Sequence, residues 1–230
     1  MDKGTVNRYL LFLMGLLCNG FGVAFITKSA LGTTPIASIP YTLSLIMPGL
    51  TLGNFTIIVS MILISLQVIL LRKNVKWIDI ILQVPITFLF GYVIDFSMWI
   101  LTGFNPSAYI VKLISLLAGC VIIAAGAFLE VKADVTMLPA DGFTRAITKV
   151  TGCQFGTVKL ITDSSQAAVA VLLGLIFLQK LAGVREGTII GALLIGNIIK
   201  AINTAADKAA EFMADRAADS IAENTAEAGE

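Results

Sequence analysis

The chain has 230 residues, of which 57% are hydrophobic and 13% are charged, and its net charge is +1. Soluble globular proteins have about 45–50% apolar and about 25% charged residues, so this composition excludes a soluble domain and places most of the chain in lipid. The sequence has no histidine, the commonest metal ligand and general base, and its three cysteines show no CxxC spacing. We therefore expect neither a metal site nor a disulfide framework.

Six apolar runs in the sequence are long enough to cross a membrane as helices. A span needs about 20 predominantly apolar residues. The runs cover residues 9–27, 52–71, 78–101, 109–131, 155–178 and 186–202. The sequence therefore predicts an all-α membrane protein with six transmembrane helices.

Two shorter apolar stretches lie between these runs, and each begins at a proline. They cover residues 35–48 and 139–151. Stretches of this length cannot cross the bilayer, so each is expected to form a re-entrant or interfacial half-helix. Proline suits the first helical position, and Thr33 and Thr34 offer hydroxyl groups that can cap the first half-helix.

The basic residues between the spans predict the orientation of the chain. With the N-terminus in the cytoplasm, the cytoplasmic segments carry eight Lys and Arg residues and the opposite side carries four. The cytoplasmic residues are Lys3, Arg8, Arg72, Lys73, Lys76, Lys132, Arg145 and Lys149. Because Lys and Arg are enriched in cytoplasmic loops, both termini are expected to be cytoplasmic.

The two halves of the chain resemble each other at an offset of about 103 residues. Gly53-Asn54-Phe55-Thr56 aligns with Gly156-Thr157-Val158-Lys159, and the prolines that start the half-helices align after a one-residue adjustment. Each half, residues 1–104 and 105–204, holds three spans and one half-helix. Three is an odd number of crossings, so the second copy is expected to be inverted, as in many secondary transporters. Duplication for packing alone is the alternative.

Glycine-, threonine- and proline-containing motifs flank the half-helices and mark the last span. They read Leu31-Gly32-Thr33-Thr34-Pro35, Gly49-Leu50-Thr51-Leu52-Gly53, Pro139-Ala140-Asp141-Gly142, Thr151-Gly152-Cys153-Gln154-Phe155-Gly156 and Gly187-Thr188-Ile189-Ile190-Gly191-Ala192-Leu193-Leu194-Ile195-Gly196. In these motifs, residues 8–202 resemble the YczE/YyaS/YitT family of bacterial integral membrane proteins. Ile36-Ala37-Ser38 departs from the family pattern, which often has an aromatic residue and an Asp there. The resemblance implies a multi-span protein of the bacterial cytoplasmic (inner) membrane and leaves its substrate open.

Asp163 is the leading candidate for a functional residue. It lies about 12 Å along the fifth span, and an ionisable group at the centre of a span costs at least about 2.5–3.5 kcal/mol. Lys159 stands one turn earlier and can pair with it, and Gln166 extends the polar cluster. The functional interpretation makes Asp163 a cation or proton site that lines an aqueous cavity. The structural alternative is a Lys–Asp pair that holds helices together while Lys159 reaches the membrane surface.

The starts of the half-helices form a second kind of candidate site. Free backbone N–H groups and the positive end of the helix dipole meet there, which suits an anionic or polar solute. Thr33 and Thr34 lie at the first start and Asp141 at the second. Asp141 disfavours a plain anion site, and its carboxylate is expected to cap its own helix instead.

Other polar residues lie in the spans. Asn54 opens the second span, and Asn19 in the first is interpreted as the donor of an interhelical hydrogen bond. Asp95 lies deep in the third span, and Lys200 takes the equivalent place in the sixth. These two charges are candidates for a pair between the repeats, with contact to the membrane surface as the favoured alternative. Glu130, near the end of the fourth span, is interpreted as an interfacial anchor.

The last span contains glycines suited to helix packing, and the chain lacks common enzyme motifs. Gly187, Gly191 and Gly196 line the sixth span and are expected to let neighbouring helices approach closely. The sequence has no phosphate-binding loop and no Gly-x-Ser-x-Gly nucleophile elbow, and without histidine no Ser–His pair exists. We expect no enzymatic activity and no cofactor.

Residues 205–230 form an acidic, alanine-rich tail. They carry 2 Lys/Arg and 7 Asp/Glu, whereas residues 1–204 carry 14 and 8. The tail is expected to continue the sixth span as a helix in the cytoplasm and to fray after about Asn224, with a docking site for a basic partner as the alternative. Its charge disfavours nucleic acid.

Together these features favour a secondary transporter or permease of a small polar solute, coupled to protons or cations through Asp163. The bilayer and that solute are the expected partners, and a homo-oligomer is compatible with the pattern. The alternative is a non-transporting accessory or regulatory membrane protein that binds a protein or lipid partner. A polar cavity lined by Asp163 and the half-helix starts would favour transport, and a dry, packed interior would favour the accessory role.

Overall fold

The protein is built from eight α-helices, and no strand occurs in the part of the chain described by a computed structural model. The structure describes the backbone of residues 3–181 and 183–227 and the side chains of residues 5–181 and 183–206. The helices are α1 (Lys3–Lys28), α2 (Pro35–Ile46), α3 (Leu52–Leu71), α4 (Trp77–Ile100), α5 (Tyr109–Ala133), α6 (Pro139–Thr151), α7 (Phe155–Leu173) and α8 (Glu186–Glu227).

Six of these helices are long and apolar enough to cross a membrane, and they coincide with the six predicted runs. They are α1, α3, α4, α5, α7 and α8, and a π-helical turn at Gly174–Leu178 extends α7. The predicted multi-pass, all-α architecture is confirmed. The helical continuation of the last span is also present, because α8 runs past Asn224 to Glu227. Residues 228–230 of the predicted tail lie outside the described residues.

The two half-helices, α2 and α6, begin at their prolines as predicted. α2 ends at Ile46, earlier than expected, and α6 has the predicted bounds. Thr34 is the N-cap of α2, and its hydroxyl oxygen accepts a hydrogen bond from the backbone N–H of the third helical residue at 3.4 Å. The N-cap residue of α6 is Leu138, without a side-chain cap, so the expectation that Asp141 caps its own helix is wrong.

Glycines bring α1 and α5 together at the centre of the bundle. A Cβ atom at Gly15 would stand 2.8 Å from the carbonyl oxygen of Gly126, and one at Gly22 would stand 3.1 Å from that of Gly119. The two helices are therefore antiparallel and nearly in backbone contact, as small residues permit. The core around this crossing consists mainly of Leu16, Val23, Ile26, Ile94, Leu116, Cys120 and Ile123.

Each half-helix packs on a span from the other half of the chain. α2 contacts α7 and α6 contacts α3, while α1 contacts α4 and α5 contacts α8. α3 and α4 also pack along each other. By contrast, α8 has only 6% of its most apolar segment buried, compared with 39% for α4. Most of the apolar segment of α8, Glu186–Ala206, is therefore exposed on the outside of the helix bundle.

Candidate functional site

A charged cluster joins the half-helix α6 to the span α7. Lys159 Nζ lies 2.9 Å from Asp141 Oδ1 and 3.1 Å from Asp163 Oδ1. The side chains are partly buried, with 27% of Lys159, 35% of Asp141 and 21% of Asp163 exposed. The predicted pair within α7 is present, and the structure adds Asp141 as a second carboxylate on the same ammonium group. We refer to Asp141, Lys159 and Asp163 as the Lys159 cluster.

Asp141 is held in the Lys159 cluster by its ion pair with the Lys159 ammonium group at 2.9 Å. Its Oδ1 atom lies at ion-pair distance from Lys159, yet it accepts no well-oriented hydrogen bond from any described residue. Asp163 Oδ1, in contrast, accepts a hydrogen bond from Lys159 Nζ. The carboxylate of Asp141 therefore keeps acceptor capacity for a proton, a cation or a polar group.

Glu130 supplies a third carboxylate next to the Lys159 cluster. It faces inward from α5, where Asn19 on α1 donates a hydrogen bond from Nδ2 to Glu130 Oε1 at 2.9 Å. This is the interhelical hydrogen bond expected of Asn19. The interpretation of Glu130 as an interfacial anchor is wrong, because Gly15 on α1 leaves room for its side chain. One signal was available: Glu130 aligns at the offset of 103 with Thr27, a polar residue at the end of the first span.

The charges in this region sum to an excess of negative charge. Asp141, Asp163 and Glu130 face one ammonium group, and the field of Asp141 acts on Glu130 and on Asp163. Partly buried carboxylates that lack a cation favour protonation or the approach of a positive charge. Within the described part of the chain, no three His, Cys, Asp or Glu side chains are grouped closely enough to hold a metal ion. The excess of negative charge in the cluster suits a proton or a cation.

The side chains of Thr144, Thr162 and Gln166 form a polar surface, buried at the contact between α6 and α7, next to the Lys159 cluster. The hydroxyl oxygens of Thr144 and Thr162 lie 3.1 Å apart, across the contact between the two helices. Gln166 is 8% exposed and donates a long hydrogen bond of 3.5 Å to the carbonyl oxygen of Thr162. Its Oε1 atom accepts no hydrogen bond from the described residues. The polar surface thus extends from the Lys159 cluster about one turn further along α7.

Two glutamines position the start of α6, and with it Asp141. Gln67 on α3 donates from Nε2 to Gln83 Oε1 at 3.0 Å and to the carbonyl oxygen of Pro139 at 3.1 Å. Gly142 lets these side chains approach, since a Cβ atom there would stand 2.7 Å from Gln67 Oε1. Neither glutamine is among the functional residues predicted from the sequence. The available signal was that each is an amide inside an apolar run.

Asp95 belongs to a second polar site. Its Oδ2 accepts a hydrogen bond from Thr51 Oγ1 at 2.6 Å, and its Oδ1 accepts one from the backbone N–H of Gly53 at 2.8 Å, so it caps the start of α3. The candidate pair with Lys200, which was the less favoured interpretation, does not form among the described residues. A cavity of about 610 Å³ adjoins this carboxylate, and its polar lining includes Thr27, Lys28, Tyr41, Ser44, Thr102 and Asn105.

The two polar sites lie at opposite ends of α3. Gln67 contacts the start of α6, beside the Lys159 cluster, whereas Gly53 contacts Asp95. Fourteen residues separate these two positions, which corresponds to about 21 Å along a helix at 1.5 Å per residue. If α3 spans the bilayer, each site belongs to a different leaflet.

The other candidates from the first half lie away from the Lys159 cluster. Thr33 is fully buried and its hydroxyl oxygen lies 2.9 Å from that of Thr27, while Thr34 caps α2. Asn54 follows the Asp95 site, where its backbone N–H donates to Thr51 Oγ1 at 3.1 Å. Of these residues, only Asn54 thus belongs to the Asp95 site, whereas Thr33 and Thr34 belong to the segment that precedes α2.

The glycines of α8 differ in their surroundings. The backbone N–H of Gly187 donates to the carbonyl oxygen of Leu31 at 2.8 Å, a contact that a Cβ atom would obstruct. A Cβ atom at Gly191 would make an ordinary contact with Cys120 Sγ at 3.8 Å, and one at Gly196 would meet no described atom within 4 Å. Close approach therefore requires glycine at the first of these positions.

Comparison with known proteins places the chain in a family. Residues 6–204 match the profile of a family described as "Family of unknown function (DUF6198)". The chain is 29% identical to the "Uncharacterized protein YyaS" of Bacillus subtilis (strain 168) over 143 residues, which cover 61% of this chain and 68% of that protein. No solved structure matches the chain. The resemblance inferred from the half-helix motifs is thereby confirmed: the protein belongs to the DUF6198 family, and YyaS is one of its relatives.

Proposed function

We propose that the protein is a secondary transporter or permease of a small polar solute in the bacterial inner membrane. The observation that carries this proposal is the Lys159 cluster, a partly buried group of charges at the contact between a half-helix and a span. A structural ion pair needs one carboxylate for each ammonium group. Here two carboxylates share Lys159 and a third lies close by, which supports an exchangeable proton or cation.

The helix contacts support an inverted repeat of residues 1–104 and 105–204. Under the repeat alignment, the contact of α2 with α7 corresponds to that of α6 with α3, and the contact of α1 with α4 corresponds to that of α5 with α8. Inverted repeats with broken segments at matching places are common in secondary transporters. The Asp95 cavity and the Lys159 cluster, at opposite ends of α3, would then serve as the solute-accessible regions of the two sides.

Proton binding to the Lys159 cluster would drive the helix movement that transport requires. Protonation of Asp141 removes the ion pair with Lys159 that joins α6 to α7, so the attraction between the two helices weakens. Protonation of Asp163 removes only the pair within α7 and leaves Lys159 paired with Asp141. Gln67, which is itself hydrogen-bonded to Gln83, still holds the start of α6 against α3. The expected motion is therefore a displacement of α7 relative to a fixed half-helix, which would open the polar surface formed by Thr144, Thr162 and Gln166.

Replacing Asp163 with asparagine should reduce coupled uptake at least about tenfold, because the amide cannot exchange a proton. The solute would first be identified with a thermal-shift screen of small polar solutes on the purified protein, since a ligand that binds the folded state stabilises it. Uptake would then be measured in proteoliposomes under an imposed proton gradient, and again under a sodium gradient.

The matched control for this experiment is Asp134→Asn, which makes the same chemical change on a side chain that is 92% exposed. It should transport like the unmodified protein. Equal uptake by the Asp163 and Asp134 variants would refute the coupling role. If no solute stabilises the protein and none is taken up, the accessory role becomes the better explanation.

Single cysteines at positions 74 and 105 should react from opposite sides of the membrane. Residue 74 follows α3 and residue 105 follows α4, so one span separates them. In a variant without the natural cysteines, a membrane-impermeant maleimide should label Asn105→Cys in intact cells. It should label Asn74→Cys only after permeabilisation. Labelling of both from one side would contradict three crossings per repeat, and the reverse pattern would place the termini outside the cytoplasm.

A further inference from the structure

A basic cleft lies at the end of the bundle where α3 ends and α4 begins. Its volume is about 780 Å³. It is formed by the end of α3 with the following turn and by the end of α6, and its lining residues are Leu70, Leu71, Arg72, Lys73, Asn74, Lys149 and Val150. Three of the seven side chains are cationic, and none of these lining residues is acidic. We refer to this feature as the basic cleft.

The cations of the basic cleft are available to a ligand. Arg72, Lys73 and Lys149 are exposed, and none forms an ion pair with another described residue. Elsewhere at this end of the bundle, Arg8 pairs with Asp134 and Lys159 pairs with two carboxylates. The cleft thus gathers cations whose charge is not already neutralised.

The ends of two helices reduce the positive potential of the cleft without cancelling it. α3 ends at Leu71 and α6 ends at Thr151, and each C-terminus contributes about half a negative charge. Two such ends offset about one of the three cationic charges. About two positive charges therefore remain for an anion.

The position of the basic cleft suits a lipid better than a soluble anion. Leu70, Leu71 and Val150 give it an apolar wall beside the cations. Trp77 and Ile78, at the start of α4 just after the cleft, are 61% and 64% exposed. Exposed tryptophan at a helix end is typical of the boundary between membrane and water. The cleft therefore lies at the depth of the phospholipid headgroups.

We propose that the basic cleft binds the phosphate headgroup of an anionic phospholipid, with Arg72, Lys73 and Lys149 around the phosphate and acyl chains along the apolar wall. Basic pockets between transmembrane helices are suited to such headgroups. Because one wall belongs to α3 and the other to α6, the lipid would hold the half-helix against the span. This proposal does not depend on transport.

The test is lipid binding by the purified full-length protein, measured by native mass spectrometry with phosphatidylglycerol and phosphatidylcholine of identical acyl chains. We expect phosphatidylglycerol to bind on the order of tenfold more tightly. The variant R72Q/K73Q/K149Q should lose this preference. The matched control K112Q/K132Q/K180Q removes three charges outside the cleft and should retain it, and size-exclusion chromatography checks that both variants remain folded.

Three results would overturn the proposal. Equal binding of the two lipids would show that the headgroup charge is not recognised. Equal loss of the preference in both triple variants would assign it to the overall charge of the protein. Binding of inorganic phosphate as tight as that of the lipid, with displacement of phosphatidylglycerol, would identify a site for a free phosphate ion instead.

Discussion

Replacing Lys159 with methionine should lower the free energy of unfolding by about 2 kcal/mol, with a clear fall in the melting temperature. The substitution keeps the length of the side chain and removes the ammonium group that Asp141 and Asp163 share. Loss of one partner from a fully buried ion pair costs about 3–5 kcal/mol, and the partial exposure of these side chains reduces that figure. Thermal unfolding in detergent, followed by circular dichroism, measures the change.

Two further variants distinguish the cluster from a general effect of lysine removal. Lys180→Met makes the same change at an exposed lysine that forms no ion pair with the described residues, and it should alter stability by less than about 0.5 kcal/mol. The combination of Lys159→Met with Asp141→Asn and Asp163→Asn should recover most of the loss, because no unpaired carboxylate remains. If Lys159→Met is as stable as Lys180→Met, the cluster contributes no net stability to the fold.

Local signals in the sequence were sufficient for the spans and the half-helices. The length of each apolar run fixed the number of crossings, and Pro35 and Pro139 marked the half-helix starts. The pair of Lys159 and Asp163 was also predictable, because both residues belong to one helix and are separated by one turn. Features that depend on the geometry of a single helix could therefore be predicted from the sequence alone.

Contacts between helices could not be predicted from the sequence in the same way. Asp141 reaches Lys159 only because α6 packs on α7, and Glu130 points inward only because α5 crosses α1 at Gly15. The hydropathy of a segment shows that it is apolar, but it does not show which of its faces contacts which neighbouring helix. For this reason the sequence predicts an interfacial anchor at Glu130, the third carboxylate of the site.

Symmetry was informative about the fold but misleading for Asp95. The alignment of the two halves suggested a pair between Asp95 and Lys200, as if α4 and α8 had equivalent surroundings. In the structure α4 packs along α3, so Asp95 finds its partners at the start of α3. The apolar segment of α8, Glu186–Ala206, is mostly exposed on the outside of the bundle. Two aligned sequences can thus occupy different environments, and their side chains then take different roles.

Two glycines at equivalent positions of the two repeats show this difference in environment. Gly53 is the second residue of α3, and Gly156 is the second residue of α7 and its equivalent in the repeat alignment. A Cβ atom at Gly53 would overlap the carbonyl oxygen of Gly91 and stand 2.5 Å from Asp95 Cγ. One at Gly156 would meet no described atom within 4 Å. The same substitution therefore meets backbone in the first copy and open space in the second.

Gly53→Ala should destabilise the protein by about 3 kcal/mol, because α3 and α4 must separate and Asp95 must leave its cap at the start of α3. Gly156→Ala should leave the free energy of unfolding unchanged or raise it by up to about 1 kcal/mol, since alanine favours a helix more than glycine does. Thermal unfolding of both variants in one detergent compares them directly. Equal melting temperatures would contradict the close α3–α4 contact, and with it the reason why the Asp95 site has no counterpart on α8.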